Sequence, residues 1–461
     1  MTKLIPKIGL RAATILVVSV IVGSGVFKKI APMSAELGSP LLVILCWILA
    51  GFISLAGALS TAEMASMFPD SGGEYKYFQK IYGRFFAFMY GWGNFTVMKT
   101  ASIAALAYIF AQSFNSLVPL PLIESKFSVL GFALFDNFSI KLLASLLIII
   151  LSYVNFRGLS AAEGLSSWLT YIMFGAVAIF ILAGFLSPVG SWENLTQKSS
   201  TFDTANFSNG GVLKAMAIAS LGAFWGYEGW NHIGYIGEEI KNPQKNLPLA
   251  LGFGTGIVIL IYVLLNTVFA YILPIDFFIT LNQNANKIAA VEVANQIAGK
   301  TGMLFIACLI LITTLNATSS TILMSARLFY AMGRDQLFFQ KASSIHPIYK
   351  TPDVAILIQG LWSIVLIWSG SFDQLTDMLI FSSFIFYGST ALGVIILRIK
   401  SPEIERKYKV IAYPYLPLFF VLFCVSLLMV TVFNQPKEAL SGLALIATGI
   451  PFYFFWQRQS K

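Results

Sequence analysis

Cysteine, histidine and charged side chains are all scarce in this chain of 461 residues. There are three cysteines and two histidines, and Asp, Glu, Lys and Arg together make up 11% of the sequence. Because Cys46, Cys308 and Cys424 all lie inside long apolar segments, no disulfide framework is expected. No spacing of Cys, His or acidic residues matches a metal site, so we expect neither a metal nor another cofactor.

Apolar residues take the place of the charged ones. They make up 57% of the chain, which is typical of a polytopic membrane protein and excludes an ordinary soluble domain. Windows of roughly 20 apolar residues, long enough to cross a bilayer, have centres near residues 20, 52, 102, 148, 175, 224, 260, 313, 361, 386, 423 and 446. We therefore predict an all-α membrane protein with twelve transmembrane helices.

The net charge of +9 lies in the connections between these windows, so it does not indicate nucleic-acid binding. If the N-terminus is placed in the cytoplasm and the spans alternate, the inner connections carry about twice as many Lys and Arg residues as the outer ones. Arg84, Arg334, Arg398 and Arg458 are among those on the inner side. The positive-inside rule thus predicts that both termini face the cytoplasm.

Two of the apolar segments contain glycine-rich interruptions. The first is Gly23-Ser24-Gly25, and the second covers residues 225–229. A broken helix exposes backbone N–H and C=O groups that lipid cannot satisfy, so it persists only where it lines a cavity or binds something. Paired breaks at matching places in two repeats indicate the substrate site of a secondary transporter.

The predicted spans form two groups of five, followed by two more. Residues 1–186 contain spans one to five, residues 187–400 contain spans six to ten, and residues 401–461 contain spans eleven and twelve. An odd number of spans in the first group forces the second group into the opposite orientation. We predict an inverted repeat of five plus five helices, with helix 1 broken at residues 23–25 and helix 6 at residues 225–229.

The first break favours an anion. Where the helix restarts, the N–H groups near Ser24, Gly25 and Val26 form the positive end of a helix dipole, which suits a carboxylate. Glycines also let a ligand approach the backbone closely. The alternative is a Gly-x-Gly site for helix packing, which is common in membranes. The presence of a second break favours ligand binding.

The second break favours a cation. The outer half-helix would end in carbonyl groups that accept hydrogen bonds from an ammonium group. A carboxylate at one break and an ammonium at the other describe an α-amino acid. Trp225 and Tyr227 could close over such a ligand, or could simply pack against lipid and neighbouring helices.

Glu228 and Lys99 carry charges at membrane depth, where a charge costs about 2.5–3.5 kcal/mol and is functional by default. Glu228 could contact a cationic group of the substrate, carry a proton or pair with a lysine. Lys99 could take part in ion or proton coupling, or could be a snorkelling or ion-paired structural residue. His232, one turn after Glu228, is expected to be packed or hydrogen-bonded.

Span eight is rich in hydroxyl groups, among them Ser319 and Ser320. Such hydroxyls can coordinate Na⁺ together with unwound carbonyls. The alternative is hydrogen bonding between helices, which is the expected role of most of them.

Other classes of membrane protein fit less well. A membrane-embedded enzyme needs clustered acids or histidines near one interface, and His232 and His346 are far apart in the sequence. A channel needs repeated filter motifs, and the sequence contains none. A carrier of polyamines or cationic amines is a closer alternative, because Glu228 could hold a second cation.

Four motifs are spread over nearly the whole chain. They are GSGVF at residues 23–27; Glu63 and Pro69 followed by SGGEY at residues 71–75; FWGYEGWN at residues 224–231 followed by EE, NP and NLP up to residue 248; and SARLFY at residues 325–330 followed by GRD and TP up to residue 352. In this order and spacing they resemble the amino acid–polyamine–organocation superfamily, and within it the L-type amino acid transporter family.

The resemblance implies a LeuT-type fold and amino acid transport by alternating access, usually without Na⁺. It implies that Ser24 and Gly25 bind the substrate carboxylate and that Trp225 is the aromatic residue closing over the substrate. The ammonium group would be bound by the carbonyls near Val20, Ile21 and Phe224.

One position departs from the family pattern. Many members carry a lysine in span five, whose ammonium stands where related carriers bind Na⁺. Our alignment places Met173 there, and no lysine occurs between residues 161 and 187. Three alternatives remain for the charge of that lysine. A proton site could replace it, Na⁺ held by Ser319 and Ser320 could replace it, or nothing does. Proton- or Na⁺-coupled symport is therefore an alternative to exchange.

The resemblance also bears on partners and location. Eukaryotic members bind a glycoprotein through a loop cysteine; since no loop cysteine is present, we expect no heavy-chain subunit. The short termini are typical of a bacterial protein, which predicts the bacterial cytoplasmic membrane. The expected partners are an amino acid and the lipid bilayer. The sequence does not determine the oligomeric state, and a monomer is compatible with it.

Overall fold

A computed structural model describes residue 6 and residues 8–70, 72–121, 128–129, 132–133, 136–157, 159–202, 211–284 and 286–459. Ser71 of the SGGEY motif lies outside these residues. The helices are α1 (Leu10–Ile21), α2 (Gly25–Lys28), α3 (Ile30–Leu37), α4 (Pro40–Met67), α5 (Glu74–Ile81), α6 (Arg84–Gly93), α7 (Lys99–Leu117), α8 (Phe138–Arg157), α9 (Leu159–Phe185), α10 (Glu193–Thr196), α11 (Gly211–Tyr227), α12 (Pro243–Ile272), α13 (Ile275–Leu281), α14 (Ala289–Arg334), α15 (Asp353–Ser369), α16 (Phe372–Lys400), α17 (Tyr415–Asn434), α18 (Pro436–Ala447) and α19 (Gly449–Gln459).

Shorter elements complete the described chain. A π-helical segment (Asn94–Met98) joins α6 to α7, and 3₁₀ segments cover Trp230–Glu239 and Gln340–Ser343. Two strands of two residues each, β1 (Ser128–Val129) and β2 (Phe132–Ala133), pair antiparallel. The predicted all-α class is confirmed, since every long element is helical.

The membrane-spanning character is also confirmed. Within the described ranges, ten helical stretches are long and apolar enough to cross a bilayer. The predicted spans near residues 224 and 361 correspond to α11 and α15, which have 17 residues each. The total of twelve spans and the inverted repeat stay predictions.

The first interruption lies at residues 22–24, one residue earlier than predicted. α1 ends at Ile21, and α2 begins at Gly25. Val22 has φ −76° and ψ 81°, and the Gly23 N–H donates to the Ile21 carbonyl at 2.8 Å. These angles and this bond describe an inverse γ-turn, which is why the helix stops before the glycine.

The second interruption is shorter than predicted. We expected a break over residues 225–229, but α11 continues through Tyr227 and only Glu228 and Gly229 separate it from the 3₁₀ segment. Gly229 has φ +114°, a backbone conformation that residues with a side chain rarely adopt. Gly226 remains helical, and a Cβ atom there would lie 2.6 Å from the Trp47 ring. It is a close-packing residue rather than a helix breaker.

Candidate functional site

The two interruptions meet at a small central cavity in the middle of the chain's buried core. Six of the predicted site residues line it: Val20, Ile21, Gly23, Ser24, Trp225 and Glu228. Its volume of about 10 Å³ is room for one water molecule, far less than an amino acid needs. In this conformation the central cavity is closed to a molecule of that size, and it would have to widen to hold one.

Four further residues line the central cavity and were not predicted to bind the substrate: Ser102, Leu106, His232 and Thr321. Ser102 and Leu106 lie three and seven residues after Lys99 in α7, which places them on one helix face. The helical spacing from Lys99 could have identified both. Thr321 belongs to the hydroxyl-rich stretch of α14, within which the sequence does not distinguish one hydroxyl from another.

Three of the predicted residues, Gly25, Phe224 and Tyr227, do not line the central cavity. Gly25 faces Gly226, and the Phe224 ring packs on the rings of Phe384 and Phe423. The Tyr227 hydroxyl donates to the Trp47 carbonyl at 3.1 Å. For Tyr227 the packing alternative is therefore the one that the structure contains, because its ring is held among aromatic side chains of α4 and α12.

Tyr262 of α12 joins the two interruptions. Its hydroxyl lies 2.9 Å from the Ile21 carbonyl oxygen and 2.9 Å from the Gly226 carbonyl oxygen, so its single proton is shared between these two acceptors. It satisfies groups that a broken helix leaves without intrahelical partners. Nothing in an apolar span marks such a tyrosine in the sequence, and we missed it.

Trp225 lines the central cavity and also contacts Phe372, the first side chain of α16. Its indole N–H donates to the Ser24 hydroxyl at 3.3 Å, and its ring meets Phe372 edge-on, with centroids 6.0 Å apart. Lys28 and Lys29 lie over the Phe372 ring, at 4.6 and 5.0 Å from its centroid. Phe372 also lines a second, polar cavity of about 260 Å³, which we call the outer cavity because the predicted orientation places it on the outer side. The Trp225–Phe372 pair therefore lies between the central cavity and this second cavity.

Ion pairs link Lys29 to the first turns of α16, next to Phe372. Lys29 Nζ lies 2.6 Å from Asp373 and 3.6 Å from Asp377, both in α16. It also donates to the Thr376 hydroxyl at 2.9 Å. α16 is thereby fixed to the segment that follows the first interruption.

The opposite end is closed as well. A Cβ atom on Gly237 would lie 2.5 Å from the Pro69 carbonyl oxygen, so the 3₁₀ segment packs directly on the connection after α4. Arg327 pairs with Glu239 at 2.8 Å, and Lys76 pairs with Asp335 at 2.7 Å. Burial opposes ionisation of Asp335, but hydrogen bonds led by Lys76 hold its pKa below the ordinary value.

Glu228 and Lys99 form a buried ion pair beside the central cavity. Lys99 Nζ lies 3.0 Å from Glu228 Oε1 and 2.6 Å from His232 Nε2. The Tyr387 hydroxyl lies 2.8 and 2.7 Å from the two Glu228 oxygens. Of the roles considered for Glu228, pairing with a lysine is the one present in this conformation. Of the roles considered for Lys99, the structural ion pair is the one present. His232 is hydrogen-bonded, as expected.

The candidate sodium ligands do not converge on the central cavity. The Ser319 hydroxyl accepts a hydrogen bond from Asn155 Nδ2 at 3.0 Å, and Ser320 is buried away from the lining. Met173 is buried in α9. Across the described ranges, no group of three or more His, Cys, Asp or Glu side chains is placed to hold a metal ion.

Comparison with known proteins gives one consistent result. A family model described as amino acid permease matches residues 8–455. The serine/threonine exchanger SteT of Bacillus subtilis is 30% identical over 97% of this chain and 96% of its own length. The human b(0,+)-type amino acid transporter 1 is 30% identical over 99% of this chain and 88% of its length. The human large neutral amino acids transporter small subunit 2 is 28% identical over 99% of this chain and 82% of its own length.

Proposed function

This chain belongs to the amino acid permease family, and from that premise we propose that it exchanges small neutral amino acids across the cytoplasmic membrane by alternating access. One observation carries the substrate class. Glu228 is the acid among the residues lining the central cavity, and Lys99 neutralises it at 3.0 Å. A cavity wall without net charge favours a substrate whose side chain is neutral, because a cationic side chain would find no free carboxylate there.

The backbone of the two interruptions supplies the groups that an α-amino acid needs. The substrate carboxylate would lie against Gly23, Ser24 and Gly25, where the chain restarts after the first interruption. The ammonium group would lie near the carbonyls of Val20, Ile21 and Phe224. Such half-helix ends are the usual substrate groups of carriers with broken helices.

Trp225 is the proposed outer gate. It lies between the central cavity and Phe372, and it is 4% exposed in this closed conformation. Movement of Trp225 away from Ser24 and Phe372 would join the central cavity to the polar outer cavity. Opening the inner side would require separation of the 3₁₀ segment from the connection after α4. These two movements, made in turn, are alternating access.

Exchange is favoured over ion-coupled uptake. The Bacillus relative is named as an exchanger, and it aligns over 96% of its length. Sodium coupling through Ser319 and Ser320 is disfavoured, because neither residue lines the central cavity. Met173, in place of the family lysine, leaves proton coupling as the alternative.

We further propose that the chain works without a heavy-chain partner, in a bacterial inner membrane, with both termini in the cytoplasm. Its three cysteines lie within helices α4, α14 and α17. The loops therefore offer no cysteine that could form a disulfide with a partner outside the membrane. Transport by the purified chain alone would support this.

The decisive experiment is uptake of radiolabelled serine into proteoliposomes of the pure protein. The vesicles are filled with unlabelled serine or with buffer, with and without Na⁺ and a pH gradient. Uptake that requires internal serine and ignores Na⁺ supports exchange. Uptake into buffer-filled vesicles driven by an ion gradient refutes it. Competition with alanine, lysine and putrescine tests the substrate class, and dominant inhibition by lysine or putrescine refutes the neutral preference.

A further inference from the structure

Glu74, at the start of α5, is a buried carboxylate that forms no ion pair within the described part of the chain, although the Lys99 ammonium acts on it from a longer distance. It is 1% exposed, and no lysine or arginine of the described ranges forms an ion pair with it. Its Oε2 accepts hydrogen bonds from the Tyr90 hydroxyl at 2.5 Å and from Asn231 Nδ2 at 2.6 Å. The Thr390 hydroxyl lies 3.3 Å from Oε1. A buried charge is normally paired, so this one requires an explanation.

Hydrogen bonds connect Glu74 to the central cavity. Asn231, which donates to Glu74, has its side-chain oxygen 3.5 Å from the Tyr387 hydroxyl. That hydroxyl in turn donates to Glu228, which lines the central cavity. Two carboxylates are therefore coupled through one amide and one phenol, without an intervening cation between Glu74 and Tyr387.

The charges of this cluster do not balance. Among the described residues, Lys99 is its one cation, and Glu228 and Glu74 are its two acids. His232 Nε2 lies 2.6 Å from Lys99 Nζ. Since an ammonium group can only donate, a charged Lys99 requires Nε2 to be the acceptor and the imidazole to be neutral. The remaining groups that face Glu74 from α5, α6, the 3₁₀ segment and α16 are Tyr77, Tyr90, Asn231, Tyr235, Tyr387 and Thr390. Since all of these are uncharged, the cluster has a net charge of −1 unless it binds one proton.

The hydrogen-bond geometry places that proton on Glu74. Glu228 receives donors from Lys99 and Tyr387, which together stabilise its ionised form. Glu74 has only neutral donors, and two of them use the same oxygen, Oε2. A proton on Oε1 would point to the Thr390 hydroxyl, whose own proton has a second acceptor, the Phe386 carbonyl at 3.1 Å. Burial also raises the pKa of Glu74, which lies outside the apolar spans.

We propose that Glu74 is a proton-binding site, and that its occupancy is linked to amino acid binding in the central cavity. With the proton bound, the cluster is neutral and the closed site accepts a zwitterion. With the proton lost, the extra negative charge beside Glu228 repels the carboxylate of the incoming substrate. The linkage depends on the proposed function, since it assumes an amino acid in the central cavity.

The proton itself is detected by infrared difference spectroscopy of the full-length protein in lipid, recorded as the pH is raised. Wild type should show a protonated carboxyl band that disappears on titration, and Glu74→Gln should lack it. Asp70→Asn is the matched control, because Asp70 is an exposed acid of the same connection. A wild type without a titrating band, or a band that persists in Glu74→Gln, overturns the proposal. If Glu74→Gln does not fold, Glu74→Asp serves instead, and an unshifted titration overturns it.

The linkage is tested by the KM for serine exchange as a function of pH. In wild type and Asp70→Asn, KM should rise above the titration of Glu74, by up to about tenfold per pH unit for one linked proton. In Glu74→Gln it should stay constant. Wild type that exchanges serine with a constant KM overturns the linkage and leaves the proposed function standing. Wild type that exchanges no amino acid refutes the proposed function, while the infrared titration still decides whether Glu74 holds a proton.

Discussion

Gly25 lies directly against Gly226, so closely that a Cβ atom on Gly25 would be 2.5 Å from the Gly226 Cα atom. The two residues belong to the first and sixth predicted spans, at the ends that meet beside the central cavity. Packing of the two broken segments thus explains Gly25 itself, as the Gly-x-Gly alternative supposed. Gly23, two residues earlier in the chain, lines the central cavity.

Gly25→Ala should separate the two broken segments. The two nearest atoms, Cα and N of Gly226, belong to the backbone and cannot rotate away, so we expect a loss of stability of about 1–3 kcal/mol and a large loss of exchange. Thermal unfolding and serine exchange measure the two effects. Gly256→Ala in α12 is the control, since a Cβ atom there meets nothing within 4 Å. Equal behaviour of the two variants would contradict the packing argument.

Trp225→Ala should weaken occlusion of the substrate. It removes the contact with Phe372 and the hydrogen bond to Ser24, and an aromatic pair is worth about 0.5–1.5 kcal/mol beyond its buried area. We therefore expect KM to rise several-fold or more, while the protein still folds. Trp168→Ala is the control, because Trp168 is 72% exposed on α9. Exchange that is unchanged in Trp225→Ala would disprove the gate.

Lys99→Met alone should lower the stability of the protein more than the double variant Lys99→Met, Glu228→Gln, which removes both charges. It leaves Glu228 buried without a cation, and breaking one side of a buried ion pair costs about 3–5 kcal/mol. The double variant Lys99→Met, Glu228→Gln should recover much of the melting temperature. If the two single changes add without recovery, the ion pair is not the reason for the loss.

Lys99→Met should also change the substrate preference. A Glu228 carboxylate freed from its lysine can accept a cationic side chain in the central cavity. Lysine should then compete with serine for exchange more strongly than in wild type, in vesicles made from the folded fraction. No change in lysine competition would show that Glu228 does not decide the substrate charge.

Tyr262→Phe should loosen both interruptions. The two carbonyl oxygens that now share its hydroxyl would lose a buried donor, which costs about 1–3 kcal/mol. Tyr271→Phe, near the end of the same helix, is a control outside the central cavity. A melting temperature that falls no further in Tyr262→Phe than in Tyr271→Phe would contradict a role in holding the interruptions.

Prediction from the sequence was most successful where the physics is local. The glycine-rich interruptions near Gly23 and near Gly229 can be recognised in the sequence, because lipid does not tolerate free backbone groups in an apolar span. Its boundaries were less accurate, because Val22 turns before the glycines and Trp225 stays helical. Those details depend on packing by Trp47 and Tyr262, which come from other helices.

The sequence by itself determined the membrane environment, the helical class and the two interrupted segments, since apolar run length and glycine content act within one segment. Only the tertiary structure decided which charges meet. The partners Lys99 and Glu228 are 129 residues apart, and Glu74 and Asn231 are 157 apart. No local pattern encodes such pairs, because they form when separate helices pack and the low dielectric of the buried core makes each unbalanced charge costly.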